Sequence, residues 1–126
     1  MADPVLASPA WGVLVLMTLI GYLLGSLSFG ILIPKLRSGL DIRQMGSGNA
    51  GTTNVLRTQG VKMALWVFLG DLAKGMVAAG IGLVVAGPLG GALASLGSLM
   101  GHCYPLYFSF KGGKGIATGV GTVLIL

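Results

Sequence analysis

Two short stretches of this chain concentrate groups suited to holding phosphate. The first reads DIRQMGSGNAGTTNVLRTQG, residues 41–60. Gly46, Gly48 and Gly51 free its backbone to turn tightly and present N–H groups. Ser47, Asn49, Thr52, Thr53 and Asn54 add side-chain hydrogen-bonding groups. Arg57 offers a planar guanidinium that grips two oxygens of a phosphate at once. The second stretch reads FKGGKG, residues 110–115. Gly112, Gly113 and Gly115 allow successive N–H groups to form an anion-binding concavity, and Lys111 and Lys114 add positive charge. A helix beginning near Ile116 would aim its N-terminal dipole at the same place. Each stretch also has a plainer reading: the first as a solvated loop rich in turn formers, the second as a tight turn with lysines that set membrane topology.

Other patterns carry less. Gly46, Gly48 and Gly51 match G-x-G-x-x-G, but that fingerprint means dinucleotide binding only after a strand in a βαβ unit. Here it follows an apolar run. A nucleotide-binding P-loop starting at Gly46 fails because Thr52 stands where lysine belongs. Asp71 and Lys74, in GDLAKG, are three apart and share a helix face. An intrahelical ion pair is the favoured reading, although charge within an apolar span is also a functional signal. His102 is a possible general base; a packed, hydrogen-bonded histidine is the plainer reading. Cys103 is the single cysteine, so no intrachain disulfide exists. No metal-ligand spacing appears, and no cofactor is expected.

The elements that must position these groups are apolar. Charged residues make up 9% of the 126 residues, against about 25% in soluble domains, and the mean hydropathy is +0.90. The 23 glycines suit close helix crossings in lipid. A net charge of +5 does not indicate nucleic acid, because the basic residues sit in blocks between apolar runs. Spanning helices need about 20 apolar residues. The sequence predicts them at about 11–33, ending at Pro34, then 63–86 and 89–110 on either side of a Gly87-Pro88 turn. A fourth run occupies 116–126. The fold class is therefore an all-α integral membrane protein, a polytopic transmembrane bundle forming one domain over 1–126.

The N-terminus does not read as a signal peptide, having Asp3 and no lysine or arginine before the first apolar run, and a retained helix is expected. Lys35, Arg37, Arg43, Arg57 and Lys62 flank or lie in the first loop, and Lys111 and Lys114 in the second. The positive-inside rule puts both loops in the cytoplasm and the N-terminus outside. Glycines four apart at Gly21/Gly25, Gly87/Gly91, Gly97/Gly101 and Gly115/Gly119 predict intramolecular helix packing rather than dimerisation. The fourth run would reach about 16 Å at 1.5 Å per residue, half of a 30 Å hydrocarbon core. The expectation is that the chain is the N-terminal portion of a longer protein.

With both loops in view, the chain resembles the acyl-phosphate-dependent glycerol-3-phosphate acyltransferases of bacterial membranes. The matching segments are GSLSFG at 25–30, DIRQMGSGNAGTTNVLR at 41–57, GDLAKG at 70–75 and GHCYPLYFSFKGGKGIATG at 101–119. The resemblance implies transfer of an acyl group from acyl phosphate to the 1-hydroxyl of sn-glycerol 3-phosphate, giving lysophosphatidate and phosphate in phospholipid synthesis. It implies a bacterial inner-membrane location and a functional partnership with an enzyme that forms acyl phosphate. It assigns catalytic roles to Ser47, Arg57 and Lys114. The phosphate-binding set it implies is Gly46, Ser47, Gly48, Asn49, Gly51, Thr53, Asn54, Arg57, Gly112, Gly113, Lys114 and Gly115, with His102 as a further possibility. Family members carry a third motif nearer the C-terminus, which is absent here. Two other functions fit these residues less well. A phosphate-ester transporter would place its site near the bilayer midplane, whereas both polar loops here lie on one side. A non-catalytic membrane protein leaves the phosphate-type groups unexplained.

Overall fold

The computed structural model describes residues 10–126; the reading of the N-terminal tail as extracytoplasmic lies outside them. Among the described residues five helices run in order: α1 (Ala10–Gly25), α2 (Phe29–Ser38), α3 (Thr52–Gln59), α4 (Val61–Cys103) and α5 (Ile116–Ile125). Single 3-10 turns occupy Ile42–Gln44 and Leu106–Phe108. No strand occurs among the described residues. Two stretches, Trp11–Ser38 and Val61–Phe108, are long and apolar enough to cross a membrane.

The first predicted span is broken. Residues 26–28 leave the helix, and α2 then continues through Pro34 to Ser38. Ser26 Oγ donates to the Tyr22 carbonyl at 2.8 Å and accepts the N–H of Leu106 at 3.2 Å. This serine therefore ties the end of α1 to the segment after α4. Pro34 does not end the helix as expected. It sits buried inside α2, which stops at Gly39 in the left-handed conformation that glycine adopts readily. The stretch expected to be loop, 35–62, holds the end of α2 and all of α3.

α4 covers both the second and third predicted spans. Ala86 and Gly87 carry non-helical backbone angles, with φ +72° at Gly87. The chain reverses there: Gly82 lies against the Gly90 carbonyl, and Lys74 reaches His102. The two halves of α4 thus form an antiparallel hairpin around the Gly87-Pro88 turn. Its second half ends at Cys103 rather than near 110, because Pro105 cannot continue a helix.

Close crossings hold the bundle together. Gly97 packs on the Thr18 carbonyl and Gly101 on the Tyr22 carbonyl, while Gly21 and Gly25 meet the backbone of Ala94 and Ser98. A side chain at any of these positions would occupy a backbone atom of the partner helix. α5 docks on the first half of α4 in the same way, through Gly75 against Thr118 and Gly121 against Leu72. These glycines therefore serve intramolecular packing. Gly97→Leu is expected to cost about 1–3 kcal/mol of stability by overpacking; thermal unfolding in detergent measures it.

Candidate active site

The two glycine-rich stretches fold against one another. In the first, Gly46 and Gly48 take φ +52° and +76°. The turn wraps Asn54, whose side chain is 1% exposed. The two N–H bonds of Asn54 Nδ2 are shared among the carbonyls of Ile42, Met45 and Asn49, at 3.2, 3.0 and 3.0 Å. Its Oδ1 accepts the Ser47 N–H at 3.2 Å. A Cβ at Gly46 would collide with that Oδ1. Asn54, expected as a phosphate donor, is thus the peg around which the loop is wound, with its amide group already engaged. Asn54→Ala leaves the Asn49 carbonyl and the Ser47 N–H without a partner, while the Ile42 and Met45 carbonyls keep the N–H groups of Met45 and Gly48. It is expected to cost about 1–3 kcal/mol and to expose the loop to limited proteolysis, which reads it directly.

The second stretch leaves α4 at Cys103 and turns through Ser109 and Phe110, both at positive φ. The N–H groups of Gly112 and Gly113 donate to the carbonyls of Cys103 and His102, at 3.1 and 3.2 Å. Those two N–H groups therefore do not form the open anion nest expected from the sequence. The glycines serve close approach instead. A Cβ at Gly112 would strike the His102 carbonyl, and one at Gly113 would come within 2.6 Å of His102 Nε2.

Arg43 straps the two stretches together. Its Nη1 donates to the Phe108 carbonyl at 2.6 Å and to that of Lys111 at 3.3 Å. Its other nitrogens hold Asp41, with Nη2 to Oδ2 at 2.8 Å. Hydrogen bonding to this guanidinium lowers the Asp41 pKa below the usual carboxylate value. The pair's contribution to stability is therefore present above the ordinary Asp pKa of 3.8 and is lost as pH falls through the lowered value.

Between the stretches lies a cavity of about 550 Å³. Ser47, Asn49, Gly51, Thr53, Asn54 and Arg57 line one side; His102, Lys114 and Gly115 line the other. Gly46, Gly48, Gly112 and Gly113 do not face it. Two helices begin at its wall, α3 with Thr52 and Thr53 and α5 with Ile116 and Ala117. Helix geometry leaves the first N–H groups of each without intrahelical partners, and the dipoles add partial positive charge. Arg57 and Lys114 have no ion-pair partner among the described residues; Asp41 and Asp71 are taken by Arg43 and Lys74. The cavity is thus electropositive, with hydroxyl and amide donors around its rim.

Three further residues of the cavity wall lie outside the binding set that the resemblance implies, although Thr52 belongs to the first glycine-rich stretch. Thr52 Oγ1 is buried at this wall without a hydrogen-bond partner. Phe68 supplies an apolar side. Asp71, read as structural, also reaches the cavity. Its Oδ1 lies 3.0 Å from Lys74 Nζ, close enough for charge pairing but misaligned for a hydrogen bond. A second recess, lined by Ile33, Arg37, Gln59, Lys62, Met63 and Trp66, contains none of the predicted site residues.

Residues 15–126 match the family model described as glycerol-3-phosphate acyltransferase. The glycerol-3-phosphate acyltransferase of Exiguobacterium sibiricum is 47% identical over 107 residues, which is 85% of this chain and 52% of that protein. That of Shouchella clausii is 47% identical over 116 residues, covering 90% and 57%. The crystal structure of PlsY (YgiH), an integral membrane glycerol 3-phosphate acyltransferase, in its glycerol 3-phosphate form superposes with a TM-score of 0.83. Its sequence identity is 43%, covering 89% of this chain and 56% of that one. The lysophosphatidic acid form gives a TM-score of 0.77 at 40% identity. The chain spans little more than half the length of these relatives. It is an all-helical integral membrane protein, and it belongs to the glycerol-3-phosphate acyltransferase family.

Proposed function

We propose that the full-length protein transfers the acyl group of an acyl phosphate to the 1-hydroxyl of sn-glycerol 3-phosphate. The observation that carries this reading is the convergence of Ser47, Arg57, Lys114 and two helix N-termini on one electropositive cavity. Both substrates present a phosphate to such a site, and the relatives named above are glycerol-3-phosphate acyltransferases. The glycerol hydroxyl oxygen attacks the acyl carbonyl carbon, and the bond from that carbon to the phosphate oxygen breaks. The products are lysophosphatidate and phosphate, and the departing phosphate can take up the hydroxyl proton.

An acyl phosphate is already activated, so the protein needs chiefly to position the reactants and stabilise developing charge. Arg57 with Ser47 suits the glycerol phosphate; Lys114 and the start of α5 suit the second phosphate. The acyl tail would lie in the bilayer. The basic loops then face the cytoplasm, where glycerol 3-phosphate is available, with the protein in the bacterial inner membrane. An enzyme that forms acyl phosphate would supply the donor. The test is to give palmitoyl phosphate and glycerol 3-phosphate to the full-length protein in lipid nanodiscs. Lysophosphatidate and phosphate should appear in equal amounts; no acyl transfer overturns the proposal.

A further inference from the structure

The cavity wall holds a buried cluster that the loop chemistry does not explain. Lys74 comes from the first half of α4, His102 from the second half, and the Leu27 carbonyl from the break between α1 and α2. Lys74 Nζ donates to that carbonyl at 3.1 Å and lies 2.8 Å from His102 Nδ1. The side chains of Lys74 and Asp71 are both 2% exposed, and Asp71 Oδ1 lies 3.0 Å from Nζ as the counter-charge of the ammonium.

An ammonium has donors and no acceptor. An imidazole nitrogen 2.8 Å from it therefore presents its lone pair. The other groups near Nδ1 are more distant, with Thr118 Oγ1 at 3.5 Å and Asp71 Oδ1 at 3.8 Å. When Nδ1 accepts, the single ring proton sits on Nε2. A doubly protonated ring does not fit, because its Nδ1–H would face the ammonium. Nε2 itself has no hydrogen-bond partner among the described residues. Gly113 lies beside it, and a Cβ there would come within 2.6 Å of Nε2. The His102 side chain is 3% exposed, yet it lines the cavity.

We propose that Lys74 is a positioning residue that fixes His102 as an Nε2–H donor to an anionic oxygen held in the cavity. The identity of that anion, a phosphate or the developing charge on the acyl carbonyl, rests on the acyltransferase reading above. The arrangement opposes a general-base role for His102, since a ring nitrogen that already carries hydrogen takes no second proton at that atom.

The test is nitrogen-15 NMR of the histidine-labelled full-length protein in nanodiscs, with a His102→Gln sample identifying the His102 signals. At neutral pH, Nδ1 should appear as the unprotonated, pyridine-type nitrogen and Nε2 as the protonated one. Lys74→Met should abolish that preference. A protonated Nδ1, alone or together with Nε2, overturns the proposal. Kinetics give a second reading. The glutamine amide places an N–H near the Nε2 position, so His102→Gln should stay within about tenfold of wild type, while His102→Ala loses about a hundredfold. Equal losses in two variants that reconstitute like wild type overturn the donor role. A wild-type protein that transfers no acyl group removes the acyltransferase reading, and the nitrogen signals still decide the ring state.

Discussion

Arg57→Ala is expected to lower kcat/KM for glycerol 3-phosphate by about 10²–10³-fold without disturbing the fold, as loss of one strong charge-stabilising donor does. Arg57 is exposed on α3 and has no ion-pair partner among the described residues, so its removal breaks nothing in the free protein. On the proposed function, what it loses is a bidentate, charge-assisted contact to the phosphate of glycerol 3-phosphate. That phosphate is remote from the reacting hydroxyl. Part of the effect should therefore appear in KM for glycerol 3-phosphate, and part in kcat as the reactant loses its fixed orientation. Arg57→Lys keeps the charge but not the planar fork, and should fall between the two. Initial rates at varied glycerol 3-phosphate, alongside thermal unfolding, check both points. Unchanged kinetics in the alanine variant would remove Arg57 from the site.

Asp71→Ala should produce the largest loss of stability. It leaves the Lys74 ammonium buried between the halves of α4 without its counter-charge, and breaking one member of a buried pair costs about 3–5 kcal/mol. Replacing both partners, as in Asp71→Leu with Lys74→Met, removes the uncompensated charge and should restore most of that stability. Activity should not return with it, because His102 then loses the contact that orders its ring. Thermal unfolding and acyl transfer measured on the same three proteins separate the two effects. A double variant that recovers neither stability nor activity would mean that the cluster contributes through contacts other than this ion pair.

The apolar runs and the two glycine-rich stretches between them were legible in the sequence because their signals are local. Apolar run length, the Gly87-Pro88 turn and the start of a helix at Ile116 each depend on neighbouring residues only. The resemblance to the acyltransferases rested on contiguous motifs of the same kind. Where the reading erred, distant partners decided. The break at 26–28 depends on Leu106 and Lys74, which lie far along the chain, and Pro34 is accommodated inside a helix that a local rule ends there. Asn54 had the right residue type for a phosphate donor, but its amide is engaged by carbonyls that only the folded loop brings near. Gly112 and Gly113 suggested an anion nest; their N–H groups instead pair with the end of α4, and their missing side chains make room for His102. Asp71, Lys74 and His102 each stand out in the sequence, but Lys74 and His102 are 28 positions apart on the hairpin, and no spacing rule joins them.

The gap between α1 and α2 bears on the order in which the protein is built. A carbonyl released from a helix inside hydrocarbon costs several kcal/mol unless a donor meets it. The donor for Leu27 is Lys74, which the ribosome makes 47 residues later. The first segment therefore has reason to enter the bilayer as a continuous helix, unbroken at 26–28. The break becomes favourable only when the α4 hairpin arrives and brings its ammonium alongside. On this view the unwinding of residues 26–28 is a late event of biogenesis, and it marks the moment when separately inserted helices become one protein.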